Sequence, residues 1–223
     1  RDLQGETESL AFSADQGRDS AAYAANILTG KGGESPLQAA FLAIDRTLAS
    51  SAHELRTALQ PLLKAPLQYS WEQILGASRD HINGRWREDA VGVYRASLIG
   101  RFPFSSGGRD AAIGDFEGFF RGGDGVLWRF VEEHLEPFVE RRGGRWREKS
   151  WHGEGLGIQP SFLAMMDKGE AITNSLFGGL GHLNLSFSVA AQPNPDLVDM
   201  RMDVNGAGLR YRNEPERWQS FSW

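Results

Sequence analysis

The sequence predicts an α+β protein in which helices come first and an antiparallel sheet comes last. Three observations predict this. Up to Phe177 the apolar side chains recur at the spacing of a helix face, as in Leu37, Phe41, Ile44 and Leu48. Beyond it the period drops to two: Leu183 to Val189 and Val198 to Val204 alternate apolar and polar without a break. Asn205-Gly206 then supplies the turn chemistry of a tight hairpin, with Leu209 to Arg212 as the returning strand. The expected division is a helical domain over 1–155, then a helix and an antiparallel β-sandwich domain over 156–223.

In chain order, the first 33 residues are polar, with a helix expected over Ser20 to Leu28. Ser35-Pro-Leu-Gln38 has the composition of a capping box with proline at the first helical position. The helix it starts is expected to run to about Gln60. Pro61 and Pro66 are expected to mark a turn, and Ser70-Trp-Glu-Gln73 a second capping box. Trp86, Val93, Tyr94 and Leu98 carry a helical face on to Gly100, with Asn83-Gly84 as a kink or an end.

The centre of the chain is Arg101 to Phe138, with eight aromatic residues (Phe102, Phe104, Phe116, Phe119, Phe120, Trp128, Phe130 and Phe138). So many large rings predict a helical core, with Asp110 and Asp124 as the caps of its two helices. Arg141 to Gly157 is charged and glycine-rich, the expected linker. A helix is expected over Ser161 to Phe177, ended by Gly178, and a last strand over Trp218 to Trp223. Arg85-Trp-Arg-Glu88 recurs as Arg145-Trp-Arg-Glu148 with nothing similar around it, which reads as coincidence.

Composition narrows the function. A net charge of −5 and a pI near 5.6 argue against a nucleic-acid partner. With no cysteine there are no disulfides and no thiolate metal sites. No apolar run approaches the roughly 20 residues that cross a bilayer, so no membrane contact is expected of this stretch. The first residue is Arg1 rather than Met, which reads as a piece of a longer chain.

The five histidines (His53, His81, His134, His152 and His182) lack ligand spacing, and no metal or cofactor is expected. Trp151-His-Gly-Glu154 is the one stretch resembling a site, with the solvated linker as the favoured reading. A cell-wall hydrolase is the rival class, and it requires Glu154 to converge with Glu132 or Glu133. No other pattern argues for catalysis.

A family resemblance adds to this reading. Asn83-x-x-Trp86, Val91-x-x-Tyr94, Arg101-Phe-Pro-Phe104, Asp115-Phe-x-x-Phe-Phe120, Gly125 and Leu135-x-Pro-Phe138 stand in an order similar to the periplasmic C-terminal region of the TssM (IcmF-type) family. In the strand region Val204-Asn-Gly206, Tyr211-x-Asn213 and Phe221-Ser-Trp223 resemble further family segments. The sequence departs from the family at Asn205, where an acidic residue is usual, and at Glu214, where glycine is common. It also stops at Trp223, where the family continues with Pro-Gly and further strands.

The resemblance implies a structural, non-enzymatic part of the type VI secretion membrane complex, periplasmic and belonging to an inner-membrane-anchored protein. It implies the outer-membrane lipoprotein TssJ as partner, together with TssL and further TssM copies. The alternating strands leave a polar face of Asp199, Arg201, Asp203, Arg210 and Arg212 suited to an interface rim. The expected partner-binding residues are Arg201, Asp203, Asn205, Arg210, Tyr211, Arg212 and Trp218. Tyr211, Trp218, Phe221 and Trp223 are read either as interface anchors or as core.

Overall fold

A computed structural model describes residues 2–178, 183, 185–190, 192, 194, 196, 199–204, 206–212 and 218–222, with side chains described from residue 15 onward, that of Val204 apart. The expectations placed on His182, Asn205, Asn213, Glu214 and Trp223 lie outside the described residues.

Helix α1 spans Asp2–Thr29, longer than the expected Ser20–Leu28. It packs on α3, closely enough at Gly17 that an added Cβ would stand 2.9 Å from His81 Cβ. Helix α2 (Pro36–Ala49) starts at the expected capping box, both arms of which form: Gln38 N–H donates to Ser35 Oγ at 3.2 Å, and Ser35 N–H to Gln38 Oε1 at 3.0 Å.

Three expectations fail just beyond it. Helix α2 ends at Ala49, not near Gln60. The Arg56 guanidinium donates to the carbonyls of Leu48 (2.8 Å), Ala49 (3.0 Å) and Ser51 (3.2 Å), satisfying the acceptors that a helix end leaves free. Helix α3 (His53–Trp86) then runs straight through Pro61 and Pro66. Ser70 is therefore no cap; it lies inside α3 and its hydroxyl donates to the Pro66 carbonyl at 2.9 Å. A proline removes one hydrogen bond from a helix, and the buried Trp71, Leu75, Ser78 and Ile82 further along hold the axis in place.

No break occurs at Asn83-Gly84. The helix widens into a π-turn at Arg87–Val91 and continues as α4 (Gly92–Ser97). Thus Arg85-Trp-Arg-Glu88 is helical, whereas its twin Arg145–Glu148 forms a strand.

The aromatic centre folds as expected in outline. Helix α5 (Ile113–Phe120) precedes α6 (Val126–Phe130), which passes through a π-turn (Val131–Leu135) and a short 3-10 turn (Glu136–Phe138). Neither expected aspartate caps a helix. Helix α5 begins only after Ala112, while Asp110 bridges to Phe102. Gly125 occupies the cap position of α6, and the Asp124 carboxylate is taken by the Arg121 guanidinium.

Of the eight rings, Phe119, Phe120, Phe130 and Phe138 are buried. Phe104 stacks on Phe116 at 5.7 Å, but Phe102 is half-exposed. The Trp128 indole donates to Thr173 Oγ1 at 2.8 Å, and that hydroxyl donates to the Phe120 carbonyl at 2.6 Å, tying α5 and α6 to α7.

The expected linker is instead two tight hairpins. Strands β1 (Val139–Arg142) and β2 (Arg145–Glu148) turn at Gly143-Gly144, both with positive φ as a two-residue primed turn requires. Strands β3 (Ser150–Trp151) and β4 (Glu154–Gly155) follow. The Trp146 indole donates to Glu170 at 3.1 Å, and its backbone N–H donates to Asp167 at 2.9 Å. Helix α7 (Pro160–Phe177) puts Met166 and Phe177 into the same core as Trp71, Phe119 and Phe138, so one hydrophobic cluster runs across residue 155.

After α7 come β5 (Ser186–Ala190), β6 (Met200–Val204), β7 (Ala207–Tyr211) and β8 (Trp218–Ser222). They form two antiparallel ladders, β5–β8 and β6–β7. The α+β class stands. Among the described residues the sheets are two-stranded, and the expected β-sandwich is not seen as two full sheets.

Candidate functional site

The β6–β7 hairpin carries most of the residues expected to bind a partner. Its register sets Met200 against Tyr211, Arg201 against Arg210 and Met202 against Leu209. Because successive side chains alternate across a strand, the first and third of these pairs face inward. Leu209 and Tyr211 are buried, and Leu209 packs with Phe221, Val189, Met200 and Met202 in a small second core. Asp199, Arg201, Asp203, Arg210 and Arg212 are exposed.

On that outer face Arg210 holds Asp199, with Nη2 to Oδ2 at 2.7 Å. The Arg210 hydrogen bond and charge, helped by Arg212 and Arg201, keep the Asp199 carboxyl below the usual carboxylate range. Asp203 accepts the Gly206 N–H at 3.1 Å, steadying the tight turn.

The expected site residues are not all brought together. Trp218 alternates with the buried Phe221 on β8, so it lies on the face of the β5–β8 ladder away from the small core. It is 66% exposed. Its ladder neighbours are small: Trp218 opposes Ala190, and Ser188 opposes Ser220 with their hydroxyls 2.9 Å apart. Tyr211 lies inward. Sequence alone left Tyr211 and Trp218 between anchor and core, and burial separates them.

Trp151-His-Gly-Glu154 turns out to be packed rather than loose. The His152 ring stacks on Phe41 at 4.2 Å, and Trp151 meets Phe41 and Trp71 edge-on at 4.9 and 5.3 Å. The Glu154 carbonyl accepts from the Trp71 indole at 3.4 Å, and the residue is exposed. Glu133 rides the π-turn of α6, its carboxylate 3.8 Å from His134 Nε2. Among the described residues no group of three or more His, Asp or Glu side chains is arranged to hold a metal, and no helix is long and apolar enough to cross a membrane.

The helical domain of the type VI secretion protein IcmF matches residues 77–181. The chain is 30% identical over 182 residues to the type VI secretion system component TssM1 of Pseudomonas aeruginosa PAO1. The chain belongs to the TssM (IcmF-type) family. That alignment takes in 79% of this chain and 16% of the Pseudomonas protein, so the chain spans about a sixth of the length of this TssM relative.

Two solved structures share the fold. A chain of a type VI secretion system membrane core complex superposes with a TM-score of 0.69 at 24% identity, over 93% of this chain and 42% of that one. A chain of a type VI membrane complex gives 0.66 at 22%, over 93% and 40%. The TssM resemblance and the helical order are thus in agreement: the IcmF helical domain begins within α3 and ends just after α7.

Proposed function

We propose that this TssM-type chain is a structural segment of the type VI secretion membrane complex, with a helical body that acts as a spacer and terminal strands that dock another polypeptide. The observation that carries the reading is the 30% identity to TssM1, which extends over most of the chain. The fold shared with the two membrane-complex chains agrees with it. The partner proposed for the strands is the outer-membrane lipoprotein TssJ, with TssL and further TssM copies in the full assembly. The segment is periplasmic and performs no reaction of its own.

The exposed polar face of β6–β7 supports a docking role, because Arg201, Asp203, Arg210 and Arg212 stand on it while Tyr211 backs it from inside. Trp218, at 66% against 38% for Phe187, is the more exposed of the two aromatics that the described part of the neighbouring ladder leaves at the surface, and the candidate anchor there. Titration calorimetry of the chain with lipid-free TssJ tests the reading. Saturable binding that weakens on Trp218→Ala or on changes to the arginines is expected. No heat of binding from the folded chain overturns it.

A further inference from the structure

The outer face of β6–β7 is charged in a way its own fold does not require. Arg201 and Arg210 are direct cross-strand partners, and like charges in that position destabilise an antiparallel pair. Among the described residues one carboxylate, Asp199, serves this end of the hairpin, and Arg210 takes it. The other, Asp203, lies at the turn and accepts the Gly206 N–H. Arg201 and Arg212 hold no hydrogen bond or ion pair among the described residues. Among the described residues three guanidiniums around one carboxylate therefore form a positive patch on a chain of net charge −5.

A patch that costs the isolated hairpin stability gains from an opposing carboxylate. Guanidinium is the group best shaped to grip one, through two parallel N–H donors. We infer that the β6–β7 face docks an acidic surface of the partner protein, with Arg201 and Arg212 as the free donors to its carboxylates. This rests on the docking reading above and names the chemistry of the partner's side. Burial of an acidic surface here also steers encounter, so association is sensitive to salt.

The test measures affinity for lipid-free TssJ with the wild-type chain, with Arg201→Glu/Arg212→Glu, and with Arg87→Glu/Arg95→Glu, both exposed on the π-turn and α4, as a control for total charge. The double reversal is expected to weaken binding by about tenfold or more, and the control by less than about twofold. Wild-type affinity is expected to fall as salt rises from about 0.05 to about 0.3 M. Thermal unfolding separates a docking role from a structural one. Arg201→Glu sets a carboxylate opposite Arg210, so the hairpin should keep or gain stability.

Binding unchanged by the double reversal overturns the inference while leaving TssJ as partner. Failure of the wild-type chain to bind overturns the docking reading itself, and the inference with it. Vesicles of roughly 7:3 phosphatidylethanolamine to phosphatidylglycerol form the last arm. Arginine-dependent binding to them, with TssJ binding unaffected, assigns the patch to anionic lipid and overturns the protein partner.

Discussion

The helical body and the terminal strands are built on different principles. Among the described residues the body gathers nineteen buried apolar side chains into one cluster, while the strands gather two, Leu209 and Phe221. The body is further pinned by buried or half-buried donors with fixed partners, such as Trp71 to Glu154, Trp128 to Thr173 and Trp146 to Glu170. The strands are held by their ladders, one stacked Phe187–Phe221 pair at 5.6 Å, and exposed polar contacts. Stability within a protein follows the local density of buried contacts, so the strands should open before the helices. The difference teaches how one chain joins a densely packed body to an end that leaves most of its side chains on the surface.

The strongest way to break this comparison is to damage the body. Trp71→Ala removes an indole that is 1% exposed and wedged against Trp151. It should cost about 3–5 kcal/mol and lower the main thermal transition, read by circular dichroism. Phe221→Ala should cost about 3 kcal/mol, but locally: amide exchange in β5 to β8 speeds up while the helical transition stays put. A drop of the whole transition would mean that the two regions unfold as one.

Smaller effects sharpen the picture. Thr173→Val leaves the Trp128 indole N–H without its acceptor and should cost about 2 kcal/mol in urea unfolding. The smallest effect is with pH. Burial, then the charges of His134, Arg85 and Arg18, hold the His81 imidazole below its ordinary value of 6.5, against a weaker opposite pull from Glu88. As pH falls through 6.5 the unfolded chain takes up this proton before the folded one does, so the stability held above that pH is progressively lost below it. His81→Gln should flatten the slope of stability between about pH 7 and about pH 5. A slope that survives the substitution would place the titrating group elsewhere.

Much of this was legible in sequence because it was local. The Ser35 capping box, the aromatic helices around Phe119 and Phe130, the Gly178 stop and the alternating strands each follow from a few neighbouring residues. The failures are tertiary. Helix α2 stops because Arg56 reaches back over its end, and α3 survives two prolines because its later turns are buried. The linker around Gly143 and His152 becomes two hairpins because Phe41, Trp71 and α7 give their aromatic residues something to pack on. For the candidate site, the polar face of β6–β7 follows from alternation alone. That Tyr211 is inside and Trp218 outside follows from register and packing, which no single stretch encodes.

Hydrogen exchange of the chain alone and with excess lipid-free TssJ tests the division of labour most directly. The account predicts added protection confined to β5 to β8 and strongest at residues 199–212, with α1 to α7 unchanged. Protection centred on the helices, with the strands exchanging as they do in the free chain, would contradict it.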